Sequence, residues 1–189
     1  MAEVRLKAVL DSLGRRLPVR RVGYILKPET ATFPTFSSDR RGHWLRAAAA
    51  EPALGIRPWV TGARYPGSSV PALLAAQAAR HQGAEVSEVF HFSLFRTFLL
   101  ENRDISEPAV LEEVALASGL DLDRFRIDCK DPKVKEGVYA EHLEAIDRWR
   151  IEAVPTIIIG VKRIEGAASR TLYQAALTQL SDDRGIKED

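Results

Sequence analysis

The sequence predicts an α/β protein in which an all-helical insertion interrupts a small sheet. Near the C-terminus, the β-branched run TIIIG at residues 156–160 is typical of a strand that is covered on both faces. Over residues 69–149, by contrast, the apolar residues recur at helical spacing throughout. We therefore expect segments 1–60 and 150–189 to form one α/β domain and segment 61–149 to form the insertion.

The N-terminal segment predicts a helix and then a strand. In segment 2–13 the apolar residues recur on one side of a helix: Leu6, Val9, Leu10 and Leu13. The stretch LPVRRVGYIL, residues 17–26, alternates roughly between apolar and polar positions and predicts a strand. A loop rich in proline and threonine follows over residues 27–39, and HWLRAAAA favours a helix over residues 40–53.

Segment 69–149 predicts four long helices. Ser69 is expected to cap the first and Ser106 the third, because a serine hydroxyl can accept a hydrogen bond from the first turn. The second helix, residues 85–102, carries apolar side chains on nearly every side and is therefore expected to be buried all round. The fourth, residues 131–149, has one largely apolar stripe: Val138, His142, Ile146 and Trp149.

The C-terminal segment predicts a β-hairpin and a closing helix. VKRI, which follows the Gly160 turn, is expected to pair with the TIII strand, and SRTLYQAALTQL predicts an amphipathic helix. Its apolar side is expected to carry Leu172, Ala176 and Leu180. The order helix, strand, helical block, strand, strand, helix is that of a thioredoxin-like fold with an all-helical insertion. The strand that precedes the first helix in that fold is lacking.

The stretch EAVPTIIIGVKRIEGA places Pro155 at the head of a predicted strand. Proline has no amide hydrogen and normally occupies strand ends, and an X-Pro bond adopts the cis form more readily than any other. With a cis bond, the amide and carbonyl of Val154 would face a groove and could pair with an extended peptide as an added strand. An ordinary trans proline at the strand start is the alternative.

Three stretches resemble the DsbA-like thioredoxin-fold family. EAVPTIIIGVKRIEGAASRTLYQAAL resembles its C-terminal segment, which carries a Val-Pro-Thr turn with a cis proline, and the Gly166-Ala167 pair before a helix resembles its cytoplasmic branch. VFHFSLFRTFLLENRDISEPAVLEEVALASGLDLDRF resembles its helical insertion, and LKAVLDSLGRRLPVRRVGYILKPE resembles its first helix and second strand. The resemblance covers nearly the whole chain. It implies that Val154, Pro155 and Thr156 bind a thiol- or disulfide-containing protein or peptide.

The chain departs from this family at the redox site. Family oxidoreductases carry Cys-x-x-Cys at the start of the first helix, where the helix N-terminus lowers the pKa of the attacking thiol. This sequence has a single cysteine, Cys129, which falls late in the insertion and is expected to be a structural or surface residue. We therefore assign no catalytic residue.

The missing first strand and dithiol have two explanations. We expect the natural protein to begin about 20–25 residues before Met1, at the length of a strand and a dithiol. The first strand of such a sheet is central, so its loss would unpair buried backbone groups at roughly 1–3 kcal/mol each. That sum is large against a net stability of about 5–15 kcal/mol. The alternative is a descendant without redox chemistry that closes the gap or forms a homodimer.

Three functions follow from the resemblance. The first is a thiol–disulfide oxidoreductase or isomerase. The second is a glutathione-dependent enzyme similar to 2-hydroxychromene-2-carboxylate isomerases and kappa-class transferases, whose loop and helix resemble YPGSSVPALLAAQAA. Those enzymes activate glutathione with a serine at the first helix, and Ser12 lies too late in that helix to serve. The third is a peptide-binding relative without catalysis. Only the second function implies glutathione; otherwise no cofactor is expected.

Composition excludes several other classes. Hydrophobic residues make up 46% and charged residues 28%, as in an ordinary globular protein. No apolar run approaches the roughly 18 residues that span a bilayer, and the N-terminus lacks a secretory apolar centre. We therefore expect a cytoplasmic protein without membrane contact. Residues 1–66 hold 12 Lys/Arg against 5 Asp/Glu, but these are scattered without a nucleic-acid motif, so no nucleic-acid partner is expected.

No metal site is predicted either. His91 and His142 lie on apolar helix faces and are expected to be hydrogen-bonded core residues. An EF-hand loop is not predicted for the segment with Asp121, Asp123 and Asp128, because this segment has no glycine and no final glutamate at the required positions. We interpret LDLDRF instead as a helix-capping turn.

Overall fold

The structure is a computed structural model that describes residues 1–14, 17–28 and 34–185, with side chains as far as residue 180. Residues 29–33 of the predicted loop lie outside the described part. The α-helices within these ranges are α1 Ala2–Ser12, α2 Arg41–Ala50, α3 Val70–Arg80, α4 Ala84–Leu99, α5 Pro108–Ala117, α6 Leu122–Asp128, α7 Pro132–Leu143 and α8 Arg170–Gly185. The strands are β1 Thr156–Ile159 and β2 Lys162–Glu165. None of these helices is long and apolar enough to cross a bilayer.

Shorter helical turns extend two of these elements. Ser38–Arg40 and Pro52–Leu54 form 3-10 turns on either side of α2, so the helix predicted over residues 40–53 is confirmed in this broken form. Glu144–Arg148 forms a π-turn at the end of α7. The chain divides into two compact units, one of Met1–Val22 with Ala145–Asp189 and one of Gly23–Glu144. The domain bounds expected from the sequence stay a prediction.

The first unit is built on the hairpin of β1 and β2. The strands are antiparallel, with Thr156 opposite Glu165 and Ile159 opposite Lys162. Its buried core combines one face of the hairpin with α1 and α8: Leu6, Val9, Ile159, Ile164, Tyr173, Ala176 and Leu177. Ile158 is 37% exposed, so the expectation of a strand covered on both faces is wrong. The reason is that alternate strand residues point to opposite faces, and the core covers only one.

The buried side of α8 is displaced by one residue from the predicted side. Tyr173, Ala176 and Leu177 are buried, whereas Leu172 is exposed and Leu180 is half-buried against the core. The spacing i, i+3, i+4 of the buried set follows the helical repeat more closely than the predicted spacing of four. The prediction that α8 is amphipathic is confirmed, and its assignment of Leu172 to the buried side is wrong.

The second unit has a core of helices α3 to α6. Its buried members are Ala75, Ala78, Ala79, Phe90, Leu94, Leu111, Val114, Ala115, Leu120 and Phe125. The ring centroids of Phe90 and Phe125 lie 5.6 Å apart, edge to face. On α4, however, Val89 is 51% exposed and Phe95 is also exposed. The expectation that this helix is buried all round is therefore wrong, because its apolar surface exceeds what its neighbours cover.

Ser69 occupies the N-cap position of α3, as predicted, whereas Glu107 occupies that of α5, so the predicted Ser106 cap is wrong. Neither Ser69 nor Ser106 accepts a hydrogen bond from the first turn of its helix, and the Ser106 hydroxyl donates instead to Asp104 Oδ1 at 2.5 Å. Asp121 does cap α6, since its Oδ1 accepts the amide of Arg124 at 2.9 Å. The interpretation of LDLDRF as a capping turn is thereby confirmed.

Segment 17–26, predicted as a strand, forms no strand. Helix side chains accept two of its alternate amides: the amide of Gly23 donates to Glu141 Oε2 at 2.6 Å and that of Ile25 donates to His142 Nδ1 at 3.2 Å. The next alternate amide, that of Lys27, donates to Ser69 Oγ at 3.2 Å. Because these side chains satisfy the amides, a neighbouring strand is not required. The expectation that His142 is hydrogen-bonded is confirmed.

Substituting alanine for Phe90 should lower the free energy of unfolding by about 3–5 kcal/mol, because it leaves a large cavity in the core. Val89→Ala on the same helix should change it by less than about 0.5 kcal/mol, since that side chain is half in solvent. Urea unfolding followed by circular dichroism measures both. Equal losses for the two variants would show that α4 is buried on both sides.

Glu141→Ala should accelerate amide hydrogen exchange at Gly23, because the carboxylate that accepts this amide is removed. The variant also removes the ion pair of Glu141 with Arg80, so a stability loss of roughly 1–3 kcal/mol is expected. Glu136→Ala, at an exposed position of the same helix, is the matched control. Exchange at Gly23 that is the same in both variants would contradict the assignment of this hydrogen bond.

Candidate substrate-binding edge

Residues 154–156, here called the Val154 edge, lie immediately before and at the start of β1. The peptide bond between Val154 and Pro155 is cis, as the family resemblance implied. Val154 is 39% exposed, Pro155 is exposed and Thr156 is half-buried. The three predicted binding residues therefore lie together at the surface of the first unit.

Two hydrogen bonds hold this turn. The amide of Gly166 donates to the carbonyl of Pro155 at 2.8 Å, and the Thr156 hydroxyl donates to the carbonyl of Ala153 at 2.6 Å. Gly166 has a φ of 74°, a left-handed conformation that favours glycine. Within the described ranges, nothing hydrogen-bonds the amide or carbonyl of Val154. Among the described residues, one donor and one acceptor of the main chain of this surface residue thus have no partner.

Arg163 supports the segment that leads to this edge. From β2 its guanidinium donates to the carbonyl of Arg150 at 3.1 Å and also to the carbonyl of Trp149. Arg150 itself has a φ of 49°, which is uncommon outside glycine. The sequence provides little indication of Arg163, because it shows only a charged residue at an outward position of a short hairpin.

Cys129 is unsuited to attack a disulfide. It is half-buried at the C-terminal end of α6 and packs against the helical core of the second unit. Burial raises the pKa of its thiol to about 11, and the charges of Asp128 and Glu112 add to this. A reactive thiol needs the opposite environment, one that stabilises the thiolate. The expectation of a structural role agrees with this geometry.

The acidic residues of segment 121–128 have other partners. Asp121 caps α6, Asp123 contacts Arg126, and Asp128 lies 3.6 Å from His81. In the ranges that the structure describes, no three side chains of His, Cys, Asp or Glu are grouped to hold a metal ion. The described residues therefore provide no cluster of side chains that could coordinate a metal ion.

Comparison with a protein-family model decides the assignment. The thioredoxin model matches residues 56–173, which include the helical insertion, the Val154 edge and the hairpin. The chain belongs to the thioredoxin family.

Similar solved structures share the fold of this thioredoxin-family chain. A probable DsbA oxidoreductase from Streptomyces coelicolor superimposes with a TM-score of 0.77 at 20% identity, covering 96% of this chain and 83% of that one. The cytosolic disulfide reductase DsbM from Pseudomonas aeruginosa with GSH gives a TM-score of 0.62 at 18% identity, covering 98% and 91%. At such identities these likenesses show the fold alone, a DsbA-like thioredoxin fold.

A curated relative shares part of the sequence. The ClpXP adapter protein SpxH from Shouchella clausii is 30% identical over 87 residues, which are 46% of this chain and 29% of that protein. The chain therefore spans less than a third of that relative.

The raised pKa of Cys129 predicts slow alkylation of the folded chain. At about pH 7.5, a thiol of pKa about 11 has roughly 300-fold less thiolate than free cysteine. Iodoacetamide labelling followed by mass spectrometry should show a rate that rises about tenfold per pH unit from about pH 7 to about pH 9.5. The urea-unfolded chain is the control and should react like free cysteine. A folded chain that already reacts at that rate near neutral pH would contradict the burial of the thiol.

Proposed function

We propose that this chain carries the substrate-binding part of a DsbA-like thiol–disulfide oxidoreductase. The Val154 edge would hold the backbone of a thiol- or disulfide-containing protein or peptide. The observation that carries the proposal is the open amide and carbonyl of Val154 at a surface turn that leads into β1. One residue that offers both groups can exchange two hydrogen bonds with one residue of an extended peptide.

The chain's own part in the reaction is binding. Thiol–disulfide exchange begins with attack by a thiolate, and among the 189 residues only Cys129 carries a thiol. Its raised pKa and its position in the helical core argue against that role. We also place the protein in the cytoplasm, which the name of the cytosolic reductase DsbM supports.

Glutathione is a second candidate ligand of the same edge. The solved DsbM structure is named as holding GSH. Glutathione is itself a thiol-containing peptide, with an amide and a carbonyl at its cysteine that could pair with Val154. This candidate corresponds to the glutathione-dependent alternative, although the chain lacks a serine placed to activate the thiol.

Peptide-binding measurements test the proposal, with one change made in the protein and another made in the peptide. We expect a cysteine-containing extended peptide, titrated at millimolar concentration, to shift the amide NMR signals of Ala153, Val154 and Thr156. Val154→Pro removes the amide hydrogen and should abolish these shifts, whereas Val154→Ala keeps the backbone and should weaken binding by less than about threefold. A peptide N-methylated at its cysteine should fail to bind the unaltered protein.

Three outcomes decide between the candidates. Equal binding of the N-methylated and unmodified peptides would contradict pairing through the backbone of Val154. Shifts of the same residues by glutathione at lower concentration than by the longer peptide would favour the glutathione-dependent function. If the signals of Ala153, Val154 and Thr156 move only with protein concentration, the edge is an interface of the predicted homodimer and the substrate-binding proposal fails.

A further inference from the structure

The second unit contains an aromatic cluster that carries two cations at one of its members. The cluster consists of five rings: Phe36, Trp44, Trp59, Tyr65 and Phe98. Their contacting centroids are 4.9 to 6.4 Å apart. The ammonium of Lys27 lies 5.0 Å from the centroid of the Tyr65 ring, and the guanidinium carbon of Arg40 lies 5.6 Å from it. Tyr65 and Lys27 are half-buried, whereas Arg40 is exposed.

These groups have donors to spare. The Lys27 ammonium donates to the carbonyl of Pro66 at 2.9 Å, which leaves two of its three N–H groups. Burial raises the pKa of the Tyr65 hydroxyl above its usual value. The charge of Arg40 and hydrogen bonds from Trp44 and Arg40 to the Tyr65 side chain act in the opposite direction but are weaker. Both neighbours are donors, so the phenol oxygen accepts from them and its own hydrogen can be given to another acceptor.

The carboxylates around this place offset its positive charge only in part. No described carboxylate lies within ion-pair distance of the Arg40 guanidinium; the exposed Asp39 carboxylate accepts a hydrogen bond from the backbone amide of Arg40 and attracts the Arg40 charge. Asp104, which favours the charged form of Lys27, is itself paired with Arg64. Burial and the charge of Arg40 together lower the pKa of Lys27. Two like charges held at one half-buried ring would gain from an anion.

We propose that Lys27, Arg40 and Tyr65 form a binding site for a small oxyanion, the carboxylate or phosphate group of a metabolite-sized molecule. The guanidinium can donate two parallel hydrogen bonds to such a group, and the ammonium and the phenol can each donate one. The half-buried Trp44 ring adds an apolar wall for the attached carbon skeleton. This site does not depend on the Val154 edge and stands without it.

Anion titration of the full chain tests the site. Inorganic phosphate and succinate are added separately at constant ionic strength, and binding is followed by tryptophan fluorescence, since Trp44 and Trp59 belong to the cluster. We expect saturable binding of at least one anion. The tighter of the two identifies the chemistry as phosphate or carboxylate.

Variants separate a site from general surface charge. Arg40→Gln and Lys27→Gln should each weaken binding about tenfold, and Tyr65→Phe should weaken it about threefold while keeping the ring. Lys135→Gln, at an exposed position of α7, removes the same charge elsewhere in the unit and should leave affinity unchanged. Circular dichroism shows whether each variant folds. As a second measurement, bound anion should slow reductive methylation of Lys27 relative to that of Lys135.

Four results would overturn the proposal. One is a response to neither anion, and another is a response that does not saturate. The third is equal weakening by Lys135→Gln and Arg40→Gln. The fourth is that the variants lower thermal stability without altering anion affinity, which would assign the two cations a structural role only.

Discussion

The hydrogen bond from the Gly166 amide to the Pro155 carbonyl determines what the surface of the hairpin unit can offer. It joins the turn before β1 to the residue that follows β2, next to the last paired position, Thr156 opposite Glu165. It also uses the carbonyl of Pro155, a residue that has no amide hydrogen to offer. The bond from the Thr156 hydroxyl to Ala153 uses a second carbonyl of the turn. The amide and carbonyl of Val154 make no hydrogen bond with the described residues, and bonds on both sides hold them in place.

The same accounting of backbone groups explains why segment 17–26 is not a strand. An amide in the interior needs an acceptor, but the acceptor need not be another strand. Glu141 and His142, neighbours near the end of α7, supply acceptors to Gly23 and Ile25. The alternation in the sequence predicted a strand, which is wrong, although alternate amides of this segment do bond to one helix. It did not reveal that helix side chains would be their partners.

Structural features that depend on residues close together in the sequence could be predicted, whereas features that depend on distant residues could not. The hairpin, α1 and the capping turn at Asp121 depend on residues close in sequence, and each was predicted from local pattern. Whether one side of α4 is exposed depends on how much of its surface the neighbouring helices cover. The amino-acid composition of α4 carries no information about that coverage. The position of Val154 followed from a family resemblance. The meeting of Lys27 and Arg40 at Tyr65 joins segments without any periodicity, and no sequence signal indicated it.

The strength of the Val154 edge bears on the kind of work it can do. Two backbone hydrogen bonds contribute about 1–3 kcal/mol net, and burying the Val154 side chain adds at most about 1.5–3 kcal/mol. Association alone costs at least about 4 kcal/mol in lost freedom of motion. These magnitudes nearly cancel, so under the proposed function the edge would orient an extended chain but hold it only weakly. Weak, sequence-tolerant orientation is what thiol–disulfide exchange requires, since a mixed disulfide then supplies the lasting bond and its cleavage releases the product. An edge that bound tightly through side-chain pockets would instead favour a dedicated peptide receptor, and an exposed valine beside a proline offers no such pocket.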